Sequence, residues 1–215
     1  MPVVISGTDN FVLNADSLGT AAPGAFDYDG KVFYATPQST ERGVVPGAQF
    51  FRLNSGLAGA NVNTAQSVFG VGVTLSASTV YAFDYYVIFS KSAGATSHNF
   101  SIGFGGTATL NNILYGGPYN AANAVFTSGT SIGGTVIIDF NTAASTAIST
   151  GIASASRSQY CYFRGTVSVS AGGTFIPQYT LSAAPGGAYT TQAGSYFLIY
   201  PIGASGANIS VGTWA

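Results

Sequence analysis

Charged residues are scarce in this sequence of 215 residues, with 6 Lys or Arg, 7 Asp or Glu and a formal net charge of −1. They make up 6% of the chain, against about 25% in an ordinary soluble domain. Nucleic-acid binding needs clustered basic side chains to neutralise phosphates, and the sequence contains no such cluster. We therefore expect no nucleic-acid partner, and a surface of small polar residues or one covered by partner subunits.

Cysteine pairs, targeting segments and membrane spans are also missing. The single cysteine, Cys161, cannot form an intrachain disulfide, which excludes a disulfide-stapled secreted scaffold. The first residues contain neither a basic nor an apolar segment, so no signal peptide is predicted. No apolar run approaches the roughly 20 residues of a membrane-spanning helix. We therefore expect no membrane partner.

Side chains that catalyse reactions are few and scattered. His98 is the only histidine, and without a recognisable orienting carboxylate it is interpreted as a packed or capping residue at the start of a strand. Cys161 is interpreted as a small buried hydrophobe. The pair in Asp27-Tyr28-Asp29-Gly30 lacks the other ligands of a calcium loop and favours a turn. Asp84 and Asp139 lie on different predicted strands and favour ion pairs with arginine over glycosidase chemistry. We therefore expect no catalytic residue, no metal site, no cofactor and no enzymatic activity.

Alternation of apolar and polar residues is abundant. It recurs between clusters of Gly, Ser and Asn, which is the pattern of β-strands, and no window has the apolar stripe and caps of a helix. The runs lie at 69–75, 80–90, 98–104, 136–140, 160–169, 175–181 and 195–202, with a closing segment at 209–214. About seven or eight short strands predict an all-β fold, a β-sandwich or jelly roll.

Turn residues punctuate these runs. The triplet Gly-Gly-Thr occurs at 105–107, 133–135 and 172–174, each time before a predicted strand. Glycine permits the positive φ of a turn, so the triplets indicate shared turn chemistry. Their unequal intervals argue against a repeat array. The segment 116–124, which contains Pro118 and Asn120, is predicted to be an exposed loop.

The distribution of charge predicts two parts. Residues 1–60 carry 8 of the charged side chains, and none occurs after Arg164. We predict an N-terminal extended attachment arm or small β subdomain at 1–60, followed by a jelly-roll-like β domain at 61–215. The candidate anchoring contacts in the first part are Glu41, Arg42 and Arg52. Charged pairs of this kind fix the register of an interface.

Tyrosine supplies the candidates for ligand or partner contacts. An exposed Tyr beside Asn can bind sugar rings or protein surfaces. Tyr115, Tyr119 and Tyr189 neighbour Gly, Pro or Ala in loop-like sequence, and with Asn120 they form the candidate glycan or partner site. The run 195–202 is apolar on both faces, and such uncharged faces favour a closed oligomer.

Three segments resemble virion structural proteins of marine and cyanobacterial tailed phages, of the tail-fibre-like or surface kind. They are Gly7-Thr8 together with FYATPQSTERG at 33–43, VTLSASTVY at 73–81, and GTFIPQYTLSAAPGG at 173–187. The resemblance implies a structural protein on the virion surface, as tail fibre, spike or capsid decoration. It would be assembled in the host cytoplasm and anchored to other virion proteins by its N-terminal part. The alternative is a host-receptor module at a fibre tip, with cell-surface glycan as its partner.

A second resemblance concerns the predicted β domain alone. The aromatic run 79–83 and the closing run 195–200 are similar to strands of the trimeric jelly rolls of the complement-C1q and tumour-necrosis-factor type. This resemblance implies that the protein associates with itself as a homotrimer.

Overall fold

The computed structural model describes residues 13–39, 41–120, 136–142 and 144–214. Within these ranges the chain forms β-strands and no helix, which confirms the predicted all-β class. The strands are β1 (Phe26–Tyr28), β2 (Phe33–Ala35), β3 (Gly43–Val45), β4 (Gln49–Arg52), β5 (Leu57–Ala58), β6 (Gln66–Ser67), β7 (Val73–Leu75), β8 (Thr79–Lys91), β9 (His98–Gly105), β10 (Thr109–Asn120), β11 (Val136–Asn141), β12 (Ser145–Ile152), β13 (Arg157–Ala171), β14 (Gly173–Leu181), β15 (Thr190–Thr191) and β16 (Tyr196–Ala204).

The large sheet is built around β8. It runs in the order β11-β10-β13-β8, and two shorter strands share the far edge of β8. β16 pairs with β8 from Thr79 to Tyr86, and β15 pairs with it at Phe89 and Ser90. β4 lies outside β16, and β5 lies outside β15. Because both edges of β8 are occupied, β8 is the central strand of the sheet.

A second sheet covers one face of the large sheet. Its order is β12-β9-β14-β6, with β7 also paired to β14, and its pairings are antiparallel. The ring centroid of Phe104 on β9 lies 5.4 Å from that of Phe83 on β8, and Phe100 lies 5.0 Å from Phe89. The two sheets therefore pack face to face over an aromatic core, as in a β-sandwich.

The alternation in β8 decides which of its faces enters the core. Tyr81, Phe83, Tyr85, Val87 and Phe89 are buried, and the side chains between them are half-buried. Side chains alternate across a strand, so one face of β8 meets the second sheet and the other faces outward. Other predicted inward residues are confirmed as buried: His98, Phe100, Ile102, Phe104, Cys161, Phe163, Val167, Val169, Phe175, Tyr179 and Leu181.

The change from the N-terminal sheet to the sandwich lies earlier than the boundary predicted near residue 60. β1, β2 and β3 form a three-stranded sheet of their own, from residue 26 to residue 45. β4 and β5, which that boundary assigns to the N-terminal part, belong to the large sheet. Leu53 between them packs in the core of the sandwich. Residues 49–58 therefore belong to the same sheet as the strands that follow.

Two further expectations need correction. Residues 116–120, predicted as part of an exposed loop, continue β10 and pair with β11, while 121–124 lie outside the described residues. Residues 209–214, predicted to close the fold, form no strand. The aromatic run at 196–204 is the last strand, with Phe197 and Ile199 buried.

The predicted glycine turns meet each other. Thr107 and Thr174, from two of the Gly-Gly-Thr triplets, donate backbone N–H groups to each other's Oγ1 at 3.0 Å. Gly106 has φ +113, and a Cβ there would overlap the carbonyl of Thr174. The close approach of the two turns therefore requires glycine. The third triplet, at 133–135, lies outside the described residues.

Candidate interaction surface

The candidate tyrosines are interior residues. Tyr115, Tyr119 and Tyr189 are buried, with at most 6% of each residue exposed. Tyr115 and Tyr119 lie on β10 and face the core, where their ring centroids lie 5.5 and 6.0 Å from that of Phe163. The prediction that they are exposed is wrong, because β10 continues through the Gly-Pro segment that we interpreted as a loop. They are not placed to bind a glycan from the surface.

Asn120 has a structural role at the end of β10. It is fully buried, and its Nδ2 donates to the carbonyl of Ser158 at 3.0 Å. Its Oδ1 accepts from the backbone N–H of Tyr160 at 2.5 Å. The side chain thus bonds to two backbone groups of β13. The expectation of an exposed Asn120 is likewise wrong.

The three candidate anchoring residues differ in the contacts that they make. Arg42 forms an ion pair with Asp27 at 3.1 Å and donates to the carbonyl of Gly19 at 2.7 Å, so it braces the N-terminal sheet. Glu41 is exposed, and Arg52 is exposed with Nη1 donating to Asn54 at 2.6 Å. A contact of Glu41 and Arg52 with another virion protein stays a prediction.

Two of the three expectations for the carboxylates are confirmed, while in the described ranges Asp139 forms no ion pair with arginine, contrary to the expectation for it. Asp29 accepts from the backbone N–H groups of Lys31 and Val32, both at 2.8 Å, which confirms the predicted turn. Asp84 pairs with Arg164 at 2.7 Å, which confirms the predicted ion pair. Asp139 is exposed on β11 and accepts from the N–H of Phe140. In the described ranges no three His, Cys, Asp or Glu side chains gather as a metal site.

One row of residues crosses the large sheet on the side away from the core. Cross-strand pairing runs from Phe50 through Leu198 and Asp84 to Arg164, and on through Gly116 to Phe140. Directly paired residues of antiparallel strands point to the same face. This row therefore defines an outer face that reaches across six strands, from β4 to β11.

Tyrosines fill the adjoining rows of the outer face. Tyr86 lies at the centre, with its ring stacked on that of Tyr196 at 5.6 Å and an interplanar angle of 15°. Tyr160 and Tyr162 meet Tyr86 edge-on at 5.8 and 6.1 Å. The guanidinium of Arg164 lies 5.2 Å from the ring centroid of Tyr162. The face is therefore an aromatic surface whose one central ion pair is already formed.

The rim of the outer face is apolar and open. Phe50, Leu114, Ile138 and Phe140 are between 49% and 80% exposed. Leu114, Phe140 and Arg164 also line a shallow depression of about 410 Å³. Exposed large apolar side chains therefore lie at both ends of the outer face, and groups of such side chains mark candidate interaction sites. The sequence contains a signal for this face, because Tyr160, Tyr162 and Arg164 alternate with core residues. The alternation by itself predicts only a strand and its buried side.

His98 is held inside the fold by two hydrogen bonds. Its Nδ1–H donates to the carbonyl of Thr96 at 2.7 Å, so its Nε2 accepts from the hydroxyl of Tyr189 at 2.9 Å. Burial lowers the pKa of His98, against the opposing effect of the Thr96 bond, and the charges of Lys91 and Arg157 lower the pKa further. The neutral imidazole is therefore the form that the folded protein favours.

Acidification should destabilise the protein through His98. The unfolded chain takes up this proton near pH 6.5, while the lowered pKa means that the folded protein takes it up only at lower pH. Below about pH 6.5 the unfolded state binds more protons, so stability is lost as the pH falls. Urea unfolding from about pH 7.5 to about pH 5 should give a shallower loss for His98→Asn than for the unchanged protein. Equal slopes would contradict this assignment.

Cys161 is a buried thiol in the core. It is fully buried, and burial raises its pKa well above the ordinary value, against smaller opposing effects of Gln159 and Arg157. A thiol that resists ionisation is a poor nucleophile. The interpretation of Cys161 as a small buried hydrophobe is confirmed in its placement.

Comparisons with family models, curated proteins and solved structures found no match to this chain. Among the residues described, no helix has the length and apolar character needed to span a bilayer.

Proposed function

We propose that this chain is a structural protein on the surface of a tailed-phage virion, assembled as a homotrimer through the outer face. The assignment to a virion, as tail fibre, spike or capsid decoration, comes from the sequence resemblance. The observation that supports self-assembly is the aromatic outer face of the large sheet, which no other part of the described chain covers. On this proposal the protein acts by assembly in the host cytoplasm and not by catalysis.

The size of the outer face suits a subunit interface. Six strands about 4.8 Å apart span about 24 Å, and β16, with 9 residues, is about 30 Å long at the usual rise of a strand. The planar area is then about 700 Å², close to the roughly 800 Å² that each partner contributes to a standard interface. Because a cyclic trimer requires two different contact patches on each subunit, this area would be divided between contacts with two neighbours.

The chemistry of the face also favours a partner. Tyr and Phe are enriched at the centres of interfaces, and charged residues are depleted there. The described charges at its centre are those of Asp84 and Arg164, which pair at 2.7 Å. Because they are paired beforehand, burial at an interface would not leave either charge without a counter-ion. Arg52 lies at the edge, where a charge remains solvated.

Attachment to the particle is assigned to the N-terminal part. The N-terminal sheet contacts the sandwich through Lys31, whose Nζ donates to the carbonyl of Ala77 at 2.9 Å. It exposes Phe26 and Phe33 on its surface. Exposed Glu41 would add specificity to a contact with other virion proteins.

Glycan binding at a fibre tip is the second candidate, with the outer face as its site. The stacked rings of Tyr86 and Tyr196 lie beside the polar groups of Asp84 and Arg164. Sugar rings bind to such aromatic surfaces flanked by hydrogen-bonding groups. A face buried between subunits would not be accessible to glycan, so the oligomeric state separates the two candidates.

Two measurements test the proposal. Sedimentation of the full chain at micromolar concentration should give three times the monomer mass of 21.8 kDa, and a stable monomer would contradict self-association. Mass spectrometry and antibody labelling of purified phage particles from the source culture should place the protein on their surface. Particles that lack the chain would contradict the virion assignment.

A further inference from the structure

The large sheet ends on two strands that each have an unpaired edge in the described ranges. β4 pairs with β16 alone, and β11 pairs with β10 alone. The backbone N–H and C=O groups along such an edge are available to a strand of another chain. All four residues of β4 are exposed, so this edge is open to a partner.

The two end strands run in opposite directions. From β11 to β4 the sheet passes through β10, β13, β8 and β16, and each of the five pairings is antiparallel. Five reversals leave β4 antiparallel to β11. A rotation about an axis along the strands preserves their directions, so it can bring β4 of one subunit beside β11 of the next in antiparallel orientation. The sheet is therefore suited to a ring in which each subunit contributes two different edges.

Alternation of side chains limits how the two edges can align. Phe50 of β4 points to the outer face, as do Ile138 and Phe140 of β11. A shift of one residue would turn each side chain to the other side of the sheet. Two alignments keep the outer face continuous and pair all four residues of β4 within β11. We name them the Ile138 register and the Phe140 register, after the residue that lies opposite Phe50.

An apolar cavity, which we name the edge pocket, lies between β4 of the large sheet and β7 of the second sheet. It has a volume of about 200 Å³, and Phe51, Val71 and Val73 are among its walls. Phe51 points away from the outer face, yet Phe51 and Val71 are 40% and 47% exposed. The sandwich therefore leaves apolar surface open between its two sheets at this edge.

The edge pocket favours the Ile138 register. Ile137 packs against the core of its own subunit and is half-buried there. In the Ile138 register it would lie opposite Phe51 of the neighbouring subunit and extend the apolar wall of the pocket, as a stabilising pair of an aromatic and a β-branched residue. In the Phe140 register Asp139 would lie there, and a carboxylate brought against apolar side chains loses hydration without gaining a partner.

Charge favours contact between unlike edges. The charged residues of the two strands are Arg52 on β4 and Asp139 on β11, and both are exposed. Pairing of β4 with a second β4, or of β11 with a second β11, would gather like charges at one contact, which is unfavourable. In the Ile138 register Asp139 lies opposite Gln49, whose carboxamide N–H can donate to the carboxylate. Unlike edges are therefore complementary, and identical edges are not.

The outer face turns toward the axis in such a ring. Three sheets of six strands, at about 4.8 Å for each strand, enclose a triangle whose sides lie about 8 Å from the axis. The second sheet packs about 10 Å from the large sheet, so it does not fit inside the ring and lies on the outside. Large side chains are needed to fill the interior, and Tyr86, Tyr160 and Tyr162 of the outer face supply them. The ring thus covers the outer face.

We propose that β4 of each subunit pairs with β11 of the next in the Ile138 register, so that three large sheets join into one closed ring. This inference rests on the proposed homotrimer and specifies the partner of each edge, which is the unlike edge of a second copy of the chain. Each junction then combines backbone hydrogen bonds with the closure of one edge pocket by Ile137 of the neighbouring subunit.

Disulfide trapping in the full chain tests the junction. Gln49→Cys combined with Asp139→Cys replaces two exposed residues and places their thiols directly opposite each other in the Ile138 register, within the reach of a disulfide. Oxidation should convert most of this double variant into a covalent species of three times 21.8 kDa on denaturing electrophoresis without reductant. Cys161 is fully buried and should not react.

Two further double variants are the matched controls. Gln49→Cys with Asn141→Cys places the thiols opposite each other only in the Phe140 register. Phe26→Cys with Asp139→Cys uses an exposed position of the N-terminal sheet, outside the large sheet. Both should stay mainly unlinked. Linkage in either control that equals or exceeds that of the Gln49 and Asp139 pair would overturn the proposed junction.

Hydrogen exchange gives a second readout that needs no substitution. The unchanged protein is compared above and below the concentration at which sedimentation shows dissociation. Backbone amides within 49–52 and 136–139 should exchange at least about tenfold more slowly in the oligomer, and those within 26–28 should exchange equally in both. A trimer in sedimentation without trapping or slowed exchange at these edges overturns the junction and leaves the homotrimer standing. A monomer at micromolar concentration overturns both.

Discussion

Phe50→Glu should separate the oligomer into subunits. Phe50 lies at one end of the outer face, 58% exposed, with its ring 5.5 Å from that of Tyr196. A carboxylate introduced there would have to lose its hydration on association. The loss should be at least about 2 kcal/mol at each interface, or about 30-fold in the dissociation constant. Sedimentation over a concentration series measures it.

The matched control is Phe26→Glu, at a phenylalanine of the N-terminal sheet that is 49% exposed. It adds the same charge to a strand away from the outer face, and association should be unchanged. Phe140→Glu, at the opposite end of the outer face, should act as Phe50→Glu does. If Phe50→Glu and Phe140→Glu both associate like the unchanged protein, the outer face is not the subunit interface.

Phe100→Ala should cost the fold about 3–5 kcal/mol of unfolding free energy. Phe100 is fully buried on β9, and its ring lies 5.0 Å from those of Phe89 and Tyr189 and 5.4 Å from Tyr179. Removal of the ring leaves a cavity bounded by rings on strands of both sheets. Domains of this size are stable by about 5–15 kcal/mol, so the variant should lose at least about a fifth of its stability.

Chemical unfolding at a fixed protein concentration measures this loss. Phe26→Ala removes the same ring from a half-exposed position and should change the unfolding free energy by less than about 1 kcal/mol. A similar small loss for Phe100→Ala would mean that the aromatic cluster does not hold the sheets together.

Alternation of apolar and polar residues predicts the long strands because every second residue, on the side that faces the core, is apolar. Each inner position of β8 is aromatic or aliphatic from Tyr81 to Phe89, and this pattern depends on the local sequence alone. The same pattern identifies the residues of the outer face, but not whether another layer covers them. Whether another layer covers the outer face depends on which strands pair with each other, and this pairing involves parts of the chain that are far apart in sequence.

Short strands and loop-like composition account for the errors. β4 and β5 have 4 and 2 residues, too few to show a period, and they are strands because β16 and β15 provide the hydrogen bonds. Gly116, Gly117 and Pro118 have turn-forming composition, yet β10 continues through them because β11 and β13 flank it. Tertiary pairing overrode the local preference in both cases.

The order of strands in the large sheet also sets the timing of assembly during synthesis. β8 leaves the ribosome long before its partners, since β13 begins at Arg157 and β16 ends at Ala204. Until then its backbone N–H and C=O groups are exposed at both edges, as on an aggregation-prone strand. The outer face does not exist before β16 docks on β8 and β4. On the proposed assembly, subunits could therefore recognise one another only after β16 has been made, and chains that lack β16 would not enter the oligomer.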